Sequence, residues 1–473
     1  MTYVVLTLIL RKIKFMLKNL VNFLIISFFI LAVSCVEPIK NTPIETPVVY
    51  PVETNSWTFA FYLAAENSLI DELYSDFTEI VQAYTSISNK VNIVVLYDRE
   101  DRTDSEPVNT IDGTNIYHIR SNSMSYTLSR PMKIDIPLKL KVSKYNQIQS
   151  MIPDEKNKQL FTDSYELLDD TMVFKETSRN DIDTLKTILT DCGYLIPLNH
   201  DNRTNLDTAD KNVLEQYIDF VQDNFISDNY MLVIGSHGSG WEFSDNRSAE
   251  SINYSIIQDT NNWLNDKWME ITDFSDALRS KGIGVVFTDV CNMADIESLY
   301  ELKDCADVFI GAQTTVPADG MNYTRLLQQL STYAELTSEI IGTEIINIYK
   351  SEYETQYLSV AAFDLAKFDS YLNTVISNLS DLSTDAIKYA RENVVKYVSG
   401  TIYRMADLDH LLSLLDIDVT NDSIINHYSN IENLNGTSIF FPKDTHIFTQ
   451  ETENLNKLRL YIDHGPIFSK LNR

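Results

Sequence analysis

The chain has 473 residues, 44% of them hydrophobic and 22% charged, which supplies apolar mass for a large core and argues against disorder. Its formal net charge is −29, although the first 34 residues hold Arg11, Lys12, Lys14 and Lys18 and no acid. The remainder therefore repels nucleic acid and anionic membrane surfaces, leaving basic partners or plain solubility.

Those four basic residues precede the apolar run Leu20–Cys35, which is short for a membrane span and ends in small residues. Residues 1–35 read as a targeting segment. Its end, Leu31-Ala-Val-Ser-Cys35, resembles a bacterial lipobox, cut just before a cysteine that is then lipidated, with Ala32 where Leu is commonest. A plain secretory signal cut near Ser34 and an uncleaved anchor are the alternatives. Residues 36–56 carry Pro38, Pro43, Pro47 and Pro51, a composition for an extended tether at roughly 3 Å per residue. With Cys35 lipidated, Cys192, Cys291 and Cys305 leave an odd thiol, free or paired outside the chain.

The domain is expected to open with a strand at Trp57–Asn67. A helix over Leu69–Tyr84 and strands at Val91–Asp98 and Asn115–Arg120 follow. Strand, helix, strand predicts a parallel sheet with right-handed crossovers in a doubly wound α/β fold. Residues 121–208 break the pattern and read as an insertion, with a hairpin and a helix near Ile182–Leu189. Val213, Leu214, Tyr217, Ile218, Val221 and Phe225 then lay one apolar stripe on a helix. Helices over Thr272–Lys281 and around Ile296–Tyr300, a strand at Asp307–Thr315 and a loop at Val316–Tyr323 come next. Helices over 324–430 surround a strand near Tyr357–Phe363, and a last strand at Thr437–Pro442 stops at its proline. Residues 444–473 form a C-terminal extension.

Two apolar, β-branched runs end in reactive residues: Met231–Gly235 leads to His237-Gly-Ser-Gly-Trp241, and Gly284–Asp289 leads to Cys291. In an open parallel sheet ligands bind at the carboxyl ends of the strands, so this imidazole and thiol can meet there as base and nucleophile. Taken singly, His237 reads as a turn residue and Cys291 as a small buried hydrophobe; it is the pairing at one sheet edge that favours chemistry. The imidazole, with the N-terminus of the helix after Cys291, is expected to favour the thiolate. Backbone N–H groups in the two loops offer an oxyanion site. Spacing offers no metal site: Cys-x-x-Cys, His-Glu-x-x-His and Asp-x-Asp-x-Asp-Gly are all lacking. No cofactor is called for, and a calcium requirement stays open.

Trp57-Thr, Tyr62-Leu-Ala-Ala-Glu-Asn67, His237-Gly-Ser-Gly-Trp241, Asp289-Val-Cys291-Asn-Met, Gly320-Met-Asn-Tyr323 and Ser438-Ile-Phe-Phe-Pro together resemble the clostripain family of cysteine peptidases. The resemblance covers about residues 57–443, with 121–208 as a gap. It implies a caspase-like α/β/α sandwich, His237 as catalytic histidine, Cys291 as nucleophile and Gly238 as oxyanion donor. It also implies Asp289 and Asp319 as acids lining the pocket for a basic side chain. Departures are Glu66 for the usual Asp, Met321 for Trp and Asn292 for Leu. Self-cleavage between histidine and cysteine, which the family can show, would have Arg247 as its best-placed site.

Physics supports the acids in part. Asp289 stands two residues before Cys291 and so points to the same side, and no basic residue is near it in sequence. Two carboxylates facing an otherwise empty pocket favour Arg or Lys; a helix cap at Asp289 and a turn at Asp319 are the bland alternatives. The expectation is an exported, lipid-anchored cysteine endopeptidase of the bacterial envelope, acting on protein or peptide substrates with basic residues and binding no nucleic acid. A non-enzymatic surface binding protein, or another thiol hydrolase or transpeptidase, is the alternative.

Overall fold

The structure, a computed structural model, describes residues 55–87, 90–99, 113–119, 128–131, 139–168, 171–191, 206–241, 255–260, 267–380, 382–399 and 402–472. The expected lipidation site Cys35, the tether, Cys192 and Arg247 lie outside them.

Along the chain come β1 (Asn55–Ala64), β2 (Val91–Arg99), β3 (Gly113–His118), β4 (Leu128–Pro131), β5 (Lys139–Lys141), β6 (Tyr165–Leu168) and β7 (Thr171–Phe174). They are followed by β8 (Ser227–Gly235), β9 (Ile257–Asp259), β10 (Lys267–Met269), β11 (Ile283–Asp289), β12 (Ala306–Ala312) and β13 (Ser359–Asp364). The last are β14 (Lys396–Ser399), β15 (Ile402–Asp407), β16 (Ile424–Ser429) and β17 (Ser438–Phe440). Nine of them form one sheet in the order β16-β13-β12-β11-β8-β1-β2-β3-β4. Its centre, from β12 to β2, is parallel. Its flanks, β13 and β16 on one side and β3 and β4 on the other, run antiparallel.

Alternation along the strands divides the core between the two faces. Trp57, Phe59, Phe61 and Leu63 of β1 join Met231 and Val233 of β8 and Val285 and Phe287 of β11 in one cluster. Ala60, Tyr62, Ala64, Leu232, Ile234 and Val286 belong to the other. Helices Ile70–Ile87, Tyr323–Ser331 and Ser338–Glu352 cover the first face. Helices Lys211–Asn224, Ile271–Leu278, Ile296–Leu302 and Leu365–Leu379 cover the second. This is an α/β/α sandwich around a mostly parallel sheet, buried on both faces as parallel sheets are.

The striped helix buries Val213, Leu214, Tyr217, Ile218 and Val221, while Phe225 closes it instead of continuing it, its N–H bonding Val221 O at 2.8 Å. Within 139–191, β5, β7 and β6 make a separate antiparallel sheet, and the helices around it pack Tyr145, Ile148, Phe161 and Leu185 into a small core of their own. The last apolar strand, β17, pairs with β15 outside the main sheet. Helices Thr445–Leu455 and Arg459–Leu471 then return Leu455, Leu460, Phe468 and Leu471 to the large core.

Tyr217 ties the second layer to the sheet, its fully buried hydroxyl donating to Phe61 O and Val94 O, each at 2.9 Å. Tyr217→Phe should therefore lower unfolding stability by roughly 1 kcal/mol, read from urea melts, by removing the buried hydroxyl's shared hydrogen bond.

Candidate active site

β8 and β11 are hydrogen-bonded neighbours, and their register sets Gly235 beside Asp289. His237 and Cys291 each lie two residues beyond that pair, so strands roughly 4.8 Å apart deliver imidazole and thiol to adjacent loops. The loops touch through glycines. A Cβ on Gly238 would sit 2.6 Å from Val290 Cγ2 and 3.2 Å from Cys291 O. Gly240, at φ +82°, would place one 2.6 Å from Asn292 O. Any side chain at these positions would push the histidine loop off the cysteine loop. Asn292 itself is left-handed at φ 57°, a conformation Asn tolerates better than Leu, which gives this departure from the family pattern a backbone reason.

His237 Nε2 is hydrogen-bonded to Ser68 Oγ at 2.8 Å. Cys291 Sγ accepts the Val316 N–H at 3.3 Å, and among the described residues no hydrogen bond joins thiol to imidazole. Burial lowers the His237 pKa, with Glu72 opposing. Burial raises that of Cys291; the Val316 N–H pulls it down and the Asp289 charge pushes it up. Both directions run against the expected thiolate, and burial is the largest cause in each. The following helix offers no compensation, since it begins only at Ile296 and its cap, Asp295, already takes the Ser298 N–H at 2.7 Å.

Asp289 is 8% exposed and well partnered. Its Oδ2 accepts the Met321 N–H at 2.9 Å and the Tyr323 hydroxyl at 3.0 Å, while Oδ1 accepts the Tyr349 hydroxyl. The partners absent from its sequence neighbourhood are thus supplied from elsewhere in the fold, as two phenols and a backbone N–H. Burial still pushes its pKa up, against those three hydrogen bonds. Met321 contributes backbone there, so Trp is not needed for that contact. Gly320, at φ +56°, would bring a Cβ within 2.8 Å of Asp289 Oδ2, and its carbonyl accepts the Tyr353 hydroxyl at 2.6 Å. Asp319, next in the same loop, is exposed. Burial raises Tyr353, and the charges of Asp289, Asp319 and Asp76 raise it further.

Asp76, on the helix Ile70–Ile87, escaped the sequence reading because an acid on a helix is usually a solvated one. So did a second acidic group, in which carboxylate oxygens of Glu66, Asp98 and Asp259 lie within 4.8 Å of one another, all buried. These are the residues whose chemistry suits a hard cation. Protein donors already serve them in part, with the Thr114 hydroxyl on Asp98 at 2.6 Å and the Thr208 hydroxyl on Asp259 at 2.9 Å. Cys305 is buried, its thiol pushed up to about 12 by burial, and lies away from this edge.

The profile of the clostripain family matches residues 61–457. Clostripain of Hathewaya histolytica is 26% identical over 133 residues, 26% of this chain and 24% of that protein, so the chain spans about a quarter of that relative's length. A zymogen C11 protease of Parabacteroides distasonis superposes with a TM-score of 0.55 at 17% identity, over 87% of this chain and 99% of that one. A secreted C11 cysteine protease of Bacteroides thetaiotaomicron gives 0.54 at 15% identity, over 88% and 99%. At such identities these structures speak for the fold.

A thiol pushed above its ordinary value of 9.0 is mostly protonated at neutral pH. Alkylation of Cys291 by iodoacetamide in the free protein should therefore keep accelerating from pH 7 through pH 9, roughly tenfold per unit. A plateau below pH 8, followed by mass spectrometry of the Cys291 peptide, would mean a thiolate at rest.

Proposed function

The chain belongs to the clostripain family, and from that premise we propose that it is a cysteine endopeptidase cleaving after Arg or Lys, with Cys291 as nucleophile and His237 as base. The observation that carries this is the β8/β11 register, which brings those two residues to neighbouring loops beside Asp289. Burial favours the neutral form of both groups, so the mechanism starts from proton transfer. His237 leaves Ser68 and takes the Cys291 proton as sulfur attacks the scissile carbonyl. Charge developing on the carbonyl oxygen is met by backbone N–H groups of the cysteine and histidine loops, Gly238 among them. The imidazolium then protonates the departing amine, and water hydrolyses the acyl-enzyme with His237 again as base.

Specificity for a basic side chain rests on Asp289 and Asp319. Asp289 is held still by two phenols and a backbone N–H, and Asp319 stands exposed in the loop that closes over it. A held carboxylate is an oriented one, which suits selection by charge. Export fits the targeting segment at residues 1–35 and the secreted relative, and lipidation at Cys35 is the proposed anchor. Among the described residues no helix is long and apolar enough to cross a membrane. A self-processing cut at Arg247 would fall between histidine and cysteine.

Cys291→Ala and His237→Ala should each remove at least about 10³-fold of kcat/KM on an arginyl peptide, and the double variant should be no worse than the singles, because the pair acts as one unit. Near wild-type turnover in Cys291→Ala would end the proposal. On the same peptide Asp319→Ala should lose far more activity than Asp418→Ala at an exposed site; equal losses would remove Asp319 from the specificity pocket. Cys35→Ala should move the protein out of the membrane fraction, whereas unchanged membrane association with the signal still cleaved would rule out the lipid anchor.

A further inference from the structure

Asp76 sits in the middle of the helix Ile70–Ile87, beyond the first turn where an acid helps a helix, and is only 6% exposed. Among the described residues it makes no hydrogen bond and no ion pair. A buried acid in that condition loses its hydration with no partner to replace it, so it destabilises the free protein and caps nothing in return.

Its surroundings fix where it faces. Three residues earlier, Leu73 lies against Gly235, where an added Cβ would come within 2.9 Å of Leu73 Cδ2; Gly235 is the residue level with Asp289. Three residues later, Glu79 accepts the Tyr323 N–H at 2.8 Å, and the Tyr323 hydroxyl bonds Asp289. Residues three apart share a helix face, so Asp76 looks between these contacts toward Asp289 and Tyr323. The titratable groups around it are Asp289 at the end of β11, Asp319 in the facing loop, Glu72 and Glu79 on its own helix, and the phenols Tyr323, Tyr349 and Tyr353. After burial, the charges of Asp289, Glu79 and Asp319 are the causes holding its carboxyl well above the ordinary range. There is no cation in that group.

Lone-pair accounting separates the two buried acids. A carboxylate offers about four acceptor sites, and Asp289 has filled three, two on Oδ2 and one on Oδ1. It has about one left, too few for two parallel N–H bonds from a guanidinium. Asp76 has all of its own. We infer that Asp76 is a specificity-determining residue of this pocket, the carboxylate that receives the guanidinium of an arginyl substrate bidentately, while Asp289 supplies fixed negative charge behind it. This rests on the proposal that the pocket takes a basic side chain, and it assigns the paired hydrogen bonds to a residue outside the strand ends. It also explains why an unpaired acid persists in a helix interior, since groups kept at a cost to stability cluster where ligands bind.

The test compares kcat/KM for matched peptides ending in arginine and in citrulline, its uncharged near-isostere, in wild type, Asp76→Asn and Asp71→Asn, the last exposed on the same helix. The ratio is the readout, because general damage to the fold lowers both rates together. Asp76→Asn should reduce the preference for arginine about tenfold, equivalent to about 1.4 kcal/mol, with a melting temperature no lower than wild type. Asp71→Asn should keep the wild-type ratio. Should Asp76→Asn fail to fold, Asp76→Ser carries the same comparison. An unchanged ratio in a wild type that prefers arginine overturns the role of Asp76 alone; a wild type that ignores arginine and lysine overturns the parent proposal with it.

Discussion

The parallel pairing of β8 with β11, in the register that sets Gly235 beside Asp289, constrains everything at this sheet edge. A slip of one residue would turn Asp289 away from Tyr323 and Tyr349 and carry Cys291 to the opposite face, because side chains alternate along a strand. The register is enforced from both faces, by Met231, Val233, Val285 and Phe287 on one side and Leu232, Ile234 and Val286 on the other. Apolar packing thus does the positioning, and the polar groups inherit their places from it. The glycines at 238 and 240 then let two loops approach at a distance no side chain would allow.

The electrostatics of the edge follow from its burial. Burial raises the Cys291 thiol and lowers the His237 imidazole, so each is biased toward its neutral form. The acids behave differently. Asp289 is satisfied by phenols and a backbone N–H, and Tyr323 and Tyr349 are kept protonated as donors by burial and by its charge. Asp76 has no such support. Of these two buried acids one is anchored and one is not, and a buried acid without partners is unfavourable.

Much of this was legible in the sequence because it depends on local pattern. Apolar runs that stop at His237 and Cys291 read as neighbouring strand ends, and the stripe from Val213 to Val221 is the face that its helix buries. The antiparallel flanks were not legible: β3 and β13 are short buried runs like the parallel ones, and direction is decided by connections that composition does not reveal. Nor was the separate pairing of β17, which reads only as a last strand stopped by its proline. The thiolate expectation overlooked the burial that raises Cys291, and the helix starting five positions later brings no N-terminus to the sulfur. Asp76, Tyr323 and Tyr349 converge on Asp289 from three separate helices, a long-range convergence no periodicity encodes.

One experiment reaches the central claim directly. The intact protein would be treated with a peptidyl electrophile carrying arginine next to the reactive carbon, digested and mapped by mass spectrometry. The account predicts a single adduct on Cys291 and none on Cys305, whose buried thiol is pushed up to about 12, and far slower labelling by a matched norleucine probe. Labelling of another cysteine, or equal labelling by both probes, would contradict it.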